Sequence, residues 1–143
     1  MFKSKKVNHI AFAVWSIEKA LPFFKDLLGA EVISGIVEPS DRQHRLITLS
    51  IGDMAVELAE PTDEQGFLAR FLAKRGEGFN HIGLDVDDIE KGIELMKSKG
   101  IVIIRERLDY AGLKYAMTHP KSTYGIEFHL HEGRQSLADF ETV

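Results

Sequence analysis

Apolar and polar residues alternate at the start of this chain. Over residues 7–14, Ile10, Phe12 and Val14 fall on one face of a strand and His9, Ala11 and Ala13 on the other. The period then lengthens to that of a helix. Ile17, Ala20, Leu21, Phe24, Leu27 and Leu28 form an apolar stripe, with Ser16 placed as N-cap and Gly29 suited to the helix end. Pro22 sits inside the stripe. An interior proline removes a donor and costs about 3 kcal/mol, so the pattern predicts a local distortion in a helix that is otherwise kept. Strand-like segments follow over 30–37, 45–50 and 54–60, with Ile51-Gly52-Asp53 as the turn between the last two. The first half reads βαβββ.

Residues 61–78 join the halves. Phe67, Leu68, Phe71 and Leu72 predict a short amphipathic helix, ended by Arg75-Gly76-Glu77-Gly78. The scheme then repeats. A strand covers 79–86, and Asp87 and Glu90 stand at capping-box spacing for a helix carrying Ile93, Leu95 and Met96 to Gly100. Strands are predicted near 101–107, 114–118 and 126–131, and the tail after Gly133 reads as loop or weak helix.

The repetition extends to individual residues. Asn8-His9-Ile10 recurs as Asn80-His81-Ile82, 72 residues later. The same interval relates Val14 to Val86, Ile17-Glu18-Lys19 to Ile89-Glu90-Lys91, and Glu57 to His129. A duplicated α+β fold is expected: one domain over 1–143, with βαβββ modules at about 7–60 and 79–132 joined by 61–78.

Composition narrows the function. At 143 residues, 44% hydrophobic and 28% charged, the chain suits one globular domain with its own core. A net charge of −4 gives no electrostatic case for nucleic acid. With no cysteine, disulfides, thiolate metal sites and cysteine nucleophiles are excluded. No segment reaches the apolar length of a membrane span, and the N-terminus lacks a signal-peptide core. A cytoplasmic protein is the expectation.

The alternation also sorts candidate chemistry. The bulky residues of the first and last strand of each half oppose His9, Glu57, His81 and His129, whose strand faces carry mainly small or polar neighbours. Such a face suits a cavity. A lone inward histidine is commonly structural, but ligand-type residues at repeat-equivalent points of both halves point to one divalent metal held by His9, Glu57, His81 and His129. Imidazole and carboxylate donors suit Zn, Ni, Co, Mn or Fe.

These residues resemble the vicinal oxygen chelate superfamily, which includes glyoxalase I, methylmalonyl-CoA epimerase, extradiol dioxygenases and bleomycin-resistance proteins. The segment from Phe71 through Arg75-Gly76-Glu77-Gly78 to Asn80-His81-Ile82, the loop His119-Pro120-Lys121-Ser122-Thr123 and the stretch Val56-Glu57-Leu58-Ala59-Glu60-Pro61 are similar to the methylmalonyl-CoA epimerases in particular. The resemblance implies a glyoxalase-like fold, in which paired βαβββ modules curl a mixed sheet around a metal cleft, and a homodimer. It implies a metal-dependent isomerase or lyase that works through an enolate on a small acid or CoA thioester. A glyoxalase-type lyase, a non-catalytic small-molecule-binding protein and a ring-cleaving dioxygenase are the alternatives.

The chain departs from the family at its acid–base groups. His129 stands where the family places a glutamate, Leu46 replaces a third-strand glutamate, and Ala111-Gly112 replaces a glycine pair. Epimerisation needs one group to remove the α-proton and another to return it on the opposite face. Glu127 and His131 share the strand face of His129 and are the candidates. Lys114 and Lys121 are candidates for binding an anionic substrate group or a CoA phosphate, with a solvated surface role as the alternative.

Overall fold

The computed structural model describes residues 1–38, 43–110 and 113–133; the Ala111-Gly112 pair and the tail after Gly133 lie outside the described residues. The elements follow the expected order. They are β1 (Ser4–Ala13), α1 (Ile17–Pro22), β2 (Glu31–Val32), β3 (His44–Ile51), β4 (Met54–Pro61), α2 (Phe67–Arg75), β5 (Gly78–Val86), α3 (Ile89–Ser98), β6 (Ile103–Tyr110), β7 (Leu113–Thr118) and β8 (Glu127–Glu132). This is βαβββ twice with one helix between. No helix among the described residues is long and apolar enough to cross a membrane.

The described residues divide into two compact units, one of 1–9 with 81–133 and the other of 10–80. In the second, strand order runs β1-β4-β3-β2. β3 and β4 pair antiparallel from His44↔Pro61 to Ile51↔Met54, around a turn whose Gly52 has φ 61°. Ile47, Leu49, Val56 and Leu58 pack with Val14, Ile17 and Phe24 into the core under α1. The opposite face of β3 and β4 carries Leu46, Thr48, Ala55, Glu57 and Ala59.

Ser16 caps α1 by accepting the Lys19 N–H. The distortion expected at Pro22 is present. The chain continues as a π turn over Phe23–Leu27, and the Leu28 N–H reaches the Phe23 carbonyl. β2 is shorter than the expected 30–37. Ile33 and Ser34 both donate to the single carbonyl of Thr48, and pairing resumes only at Val37↔Leu46.

In the first unit the order runs β1-β5-β8-β7-β6. β8 lies parallel to β5, with Gly83 opposite His129, and antiparallel to β7. Val86, Ile89, Ile93, Ala116 and Leu130 form its core with Phe2, Leu84, Met96 and Ile103 around them. The N-cap of α3 is Asp88, which accepts the Lys91 N–H, and not Asp87. Asp87 is engaged elsewhere: its carboxylate accepts from Lys3 N–H and its own N–H donates to the Lys3 carbonyl.

A candidate metal and active site

Because Leu84, Val86 and Leu130 go to the core, the intervening residues of β5 and β8 share the opposite face. That face carries His81, Gly83 and Asp85 on one strand and Glu127, His129 and His131 on the other. His9 of β1 joins them. One ligand nitrogen from each of His9, His81 and His129 lies within 4.8 Å of the other two. All three side chains are buried. The His81 and His129 rings stack at 3.6 Å between centroids and 11° between planes.

Nε2 of His9 and Nε2 of His81 are 3.0 Å apart. Two nitrogens each about 2.0–2.1 Å from a common ion, at octahedral or tetrahedral angles, are separated by about 2.8–3.4 Å. The pair therefore already stands at coordination distance, and the donor set suits a divalent ion of the zinc, nickel, cobalt, manganese or iron type.

A chain of side chains orients His9. Asn8 Nδ2 donates to Asp85 Oδ1 at 3.1 Å, which leaves Asn8 Oδ1 to accept from His9 Nδ1 at 2.5 Å. The Nδ1 proton is thereby fixed and the Nε2 lone pair is left facing His81. Metal-ligating histidines need this kind of support. Lys6 stands 3.7 Å from the other oxygen of Asp85. Gly83 supplies room: a Cβ there would lie 2.1 Å from His9 Cε1 and 2.2 Å from His9 Nδ1. The ring lies directly on the strand backbone.

Glu127 and His131 flank His129 along β8. Glu127 Oε1 is 3.6 Å from His129 Nε2. The His131 ring is 5.5 Å from that of His9 and 6.4 Å from that of His129. Tyr115 of β7, buried, pairs in register with His131, with 6.4 Å between ring centroids. Glu57 is buried in β4 opposite Thr48 and belongs to the second unit. Lys114 lies on the helix side of β7, where its ammonium donates to Glu90 at 3.1 Å and is held above its usual pKa by that bond. Lys121 is exposed in the 3-10 turn Pro120–Ser122, and its N–H donates to the His119 ring.

The Glyoxalase/Bleomycin resistance protein/Dioxygenase superfamily matches residues 8–117. The chain belongs to that superfamily. It is 30% identical to the mitochondrial methylmalonyl-CoA epimerase of Homo sapiens over 130 residues, 89% of this chain and 73% of that protein. It is 29% identical to an ethylmalonyl-CoA/methylmalonyl-CoA epimerase of Cereibacter sphaeroides, covering 89% and 97%. The crystal structure of methylmalonyl-CoA epimerase from Mycobacterium tuberculosis superposes with a TM-score of 0.76 at 26% identity, covering 93% of this chain and 91% of that one. These matches bear out the expected α+β glyoxalase-like fold, the resemblance to methylmalonyl-CoA epimerases, and the expectation of an enzyme.

The sequence pattern missed Asn8, Asp85, Gly83 and Tyr115. Two of them carried a signal. Asn8 repeats at Asn80 beside the repeated histidine, and a glycine inside a strand marks close approach of another group.

Proposed function

We propose that the chain is a metal-dependent epimerase that moves the α-proton of a CoA thioester through an enolate, with methylmalonyl-CoA as substrate. One observation carries this reading. Three buried imidazoles bring one ligand nitrogen each within 4.8 Å of the others, His9 and His81 at 3.0 Å, and two proton carriers flank one of them on the same strand face. The epimerase relatives support the substrate class.

His9, His81 and His129 would hold the ion through ring nitrogens, with Glu57 as the fourth ligand on the sequence repeat that pairs it with His129. A divalent ion there supplies Lewis-acid charge against developing negative charge on carbonyl oxygens. The residues handle the proton. Glu127 and His131 lie one on each side of His129, each about 6.5–7 Å from it along the strand. A substrate centred at His129 thus meets a carboxylate on one side and an imidazole on the other, the arrangement that removal and return on opposite faces requires. Glu127 accepts the proton in one direction and His131 returns it. A homodimer completes the reading and is checked by light scattering.

The deciding experiment is exchange of the α-proton of methylmalonyl-CoA in deuterated water with protein of measured metal content. Stereochemically scrambled, deuterated product is expected. Metal-loaded protein that gives neither exchange nor epimer removes this substrate.

A further inference from the structure

β6 carries an extra residue. Ile103 pairs with Thr118 and Arg105 with Met117, so two steps along β6 advance its partner by one. A bulge of this kind turns the side chains beyond it to the other face. On a regular strand Ile103, Arg105 and Arg107 would share one face. Here they do not.

Both faces confirm the turn. Ile103 packs against the core of Val86, Ile89, Ile93, Ala116 and Leu130. Glu106 pairs in register with Ala116 of that same core, and its carboxylate meets Lys97 of α3. Glu106 is therefore on the helix side. Arg105 pairs with Met117 and Arg107 with Tyr115, and the β8 partners of those two are His129 and His131. Directly paired residues put their side chains on one face. The two half-buried arginines stand on the face of the histidine cluster, two strand spacings or about 10 Å from β8.

We propose that Arg105 and Arg107 are the anion-recognition residues of this site, binding a carboxylate or phosphate of the substrate beside the histidine cluster. The inference rests on the reading of that cluster as the reaction centre. Guanidinium forks pair with both anions through two parallel N–H bonds and keep their charge when partly desolvated. Lys114, the neighbouring cation on β7, is committed to Glu90 on the helix side and cannot serve this face. A CoA thioester of a dicarboxylic acid offers two sources of the anion, the free acyl carboxylate and the phosphates.

The test compares wild type with R105Q/R107Q and R105K/R107K, each first checked for metal content and thermal unfolding. The substrates are methylmalonyl-CoA and methylmalonyl-pantetheine, which keeps the carboxylate and lacks phosphate. The glutamine variant is expected to raise KM by about 10- to 100-fold with kcat within about threefold, and lysine to recover part of the loss. A penalty with both substrates assigns the acyl carboxylate; a penalty with the CoA ester alone assigns the phosphates. Unchanged KM with both overturns the proposal.

Calorimetric titration of the metal-loaded proteins with malonate and with pyrophosphate separates this inference from the proposed reaction. If wild type fails to turn over methylmalonyl-CoA, the reaction is wrong. At least a tenfold loss of affinity for one probe in the glutamine variant still supports the arginines. Equal affinity in both proteins, or no binding of either probe by wild type, overturns them.

Discussion

Gly83→Ala should uncouple the histidine cluster without removing a ligand. The added Cβ would fall 2.1 Å from His9 Cε1, 2.2 Å from His9 Nδ1 and 2.7 Å from Asn8 Oδ1. Carbon atoms in contact settle at about 3.5–4.0 Å, so the ring must move by roughly 1.5 Å. The strand cannot give way easily, because Gly83 is paired with His129 on β8. The ring moves instead, and the Asn8–His9 bond at 2.5 Å and the 3.0 Å approach to His81 are lost with it. Overpacking costs about 1–3 kcal/mol and the broken hydrogen bond about 1 kcal/mol. The sum, about 2–4 kcal/mol, lowers Tm by about 8–16 °C at roughly 4 °C per kcal/mol.

Metal affinity should fall by ~10²-fold, the upper end of the loss seen when a ligand's supporting contact is removed. Competition with a chromophoric chelator measures the affinity, and thermal unfolding of metal-free protein measures the packing cost. A double-mutant cycle closes the test. In a His9→Ala background the same glycine change meets no ring, so most of its stability cost should vanish. Wild-type affinity and Tm in the single variant, or an equal stability cost in both backgrounds, would refute the seating of His9 on the β5 backbone.

Other outcomes follow from the same geometry. His81→Ala should abolish stoichiometric metal binding, measured by elemental analysis after dialysis; retention of one equivalent would displace the assigned site. Glu127→Gln should keep metal and Tm while α-proton exchange drops by ~10²–10⁴-fold, and near-normal exchange would transfer the role of base to another group. The Asp88 carboxyl sits below the ordinary aspartate range, chiefly because it accepts the Lys91 N–H. Its contribution to stability is therefore full above the unfolded value of about 3.9 and fades as pH falls through the lower folded value. The stability gap between wild type and Asp88→Asn should close over that acid window, and a gap independent of pH would count against the cap.

The repeat made the architecture legible because each half must solve the same folding problem with the same periodic pattern. Faces on β5 and β8 followed from alternation alone, which put His81 opposite the apolar face of its strand and Glu127, His129 and His131 opposite that of theirs. Register between strands did not follow. The β3–β4 turn has Gly52 and Asp53 between the strands, whereas β7 and β8 are joined through 119–126. Leu46 pairs with Ala59 and Tyr115 with His131, so Tyr115 is the register counterpart of Leu46, 69 rather than 72 residues on. The bulge in β6 was equally hidden. It depends on how Ile103 settles in the core, and alternation from Ile103 places the two arginines on the wrong face. The choice of Asp88 over Asp87 as cap turned on a long-range bond to Lys3, which local spacing does not contain.

What the halves kept and what they changed separates structural from chemical demands. In one, the Ile17 N–H at the start of α1 donates to Glu60 at 2.8 Å, and Arg45 joins Glu60 to Glu18. In the other, the Ile89 N–H at the start of α3 donates to Glu132 at 3.0 Å, and Lys114 pairs with Glu90. Each arrangement docks a helix N-terminus on a last-strand carboxylate, where the dipole and the open N–H groups favour negative charge. Each half needs that clamp to hold its own helix, so both retain it. On the opposite strand face His9 recurs as His81, but the positions around that pair carry no such repeated demand and differ: Ala11 against Gly83, Glu57 against His129, Leu46 against Tyr115. A cation of the clamp, such as Lys114, is thus fixed by folding. A role in substrate binding falls to cations on the divergent face, which on β6 are Arg105 and Arg107.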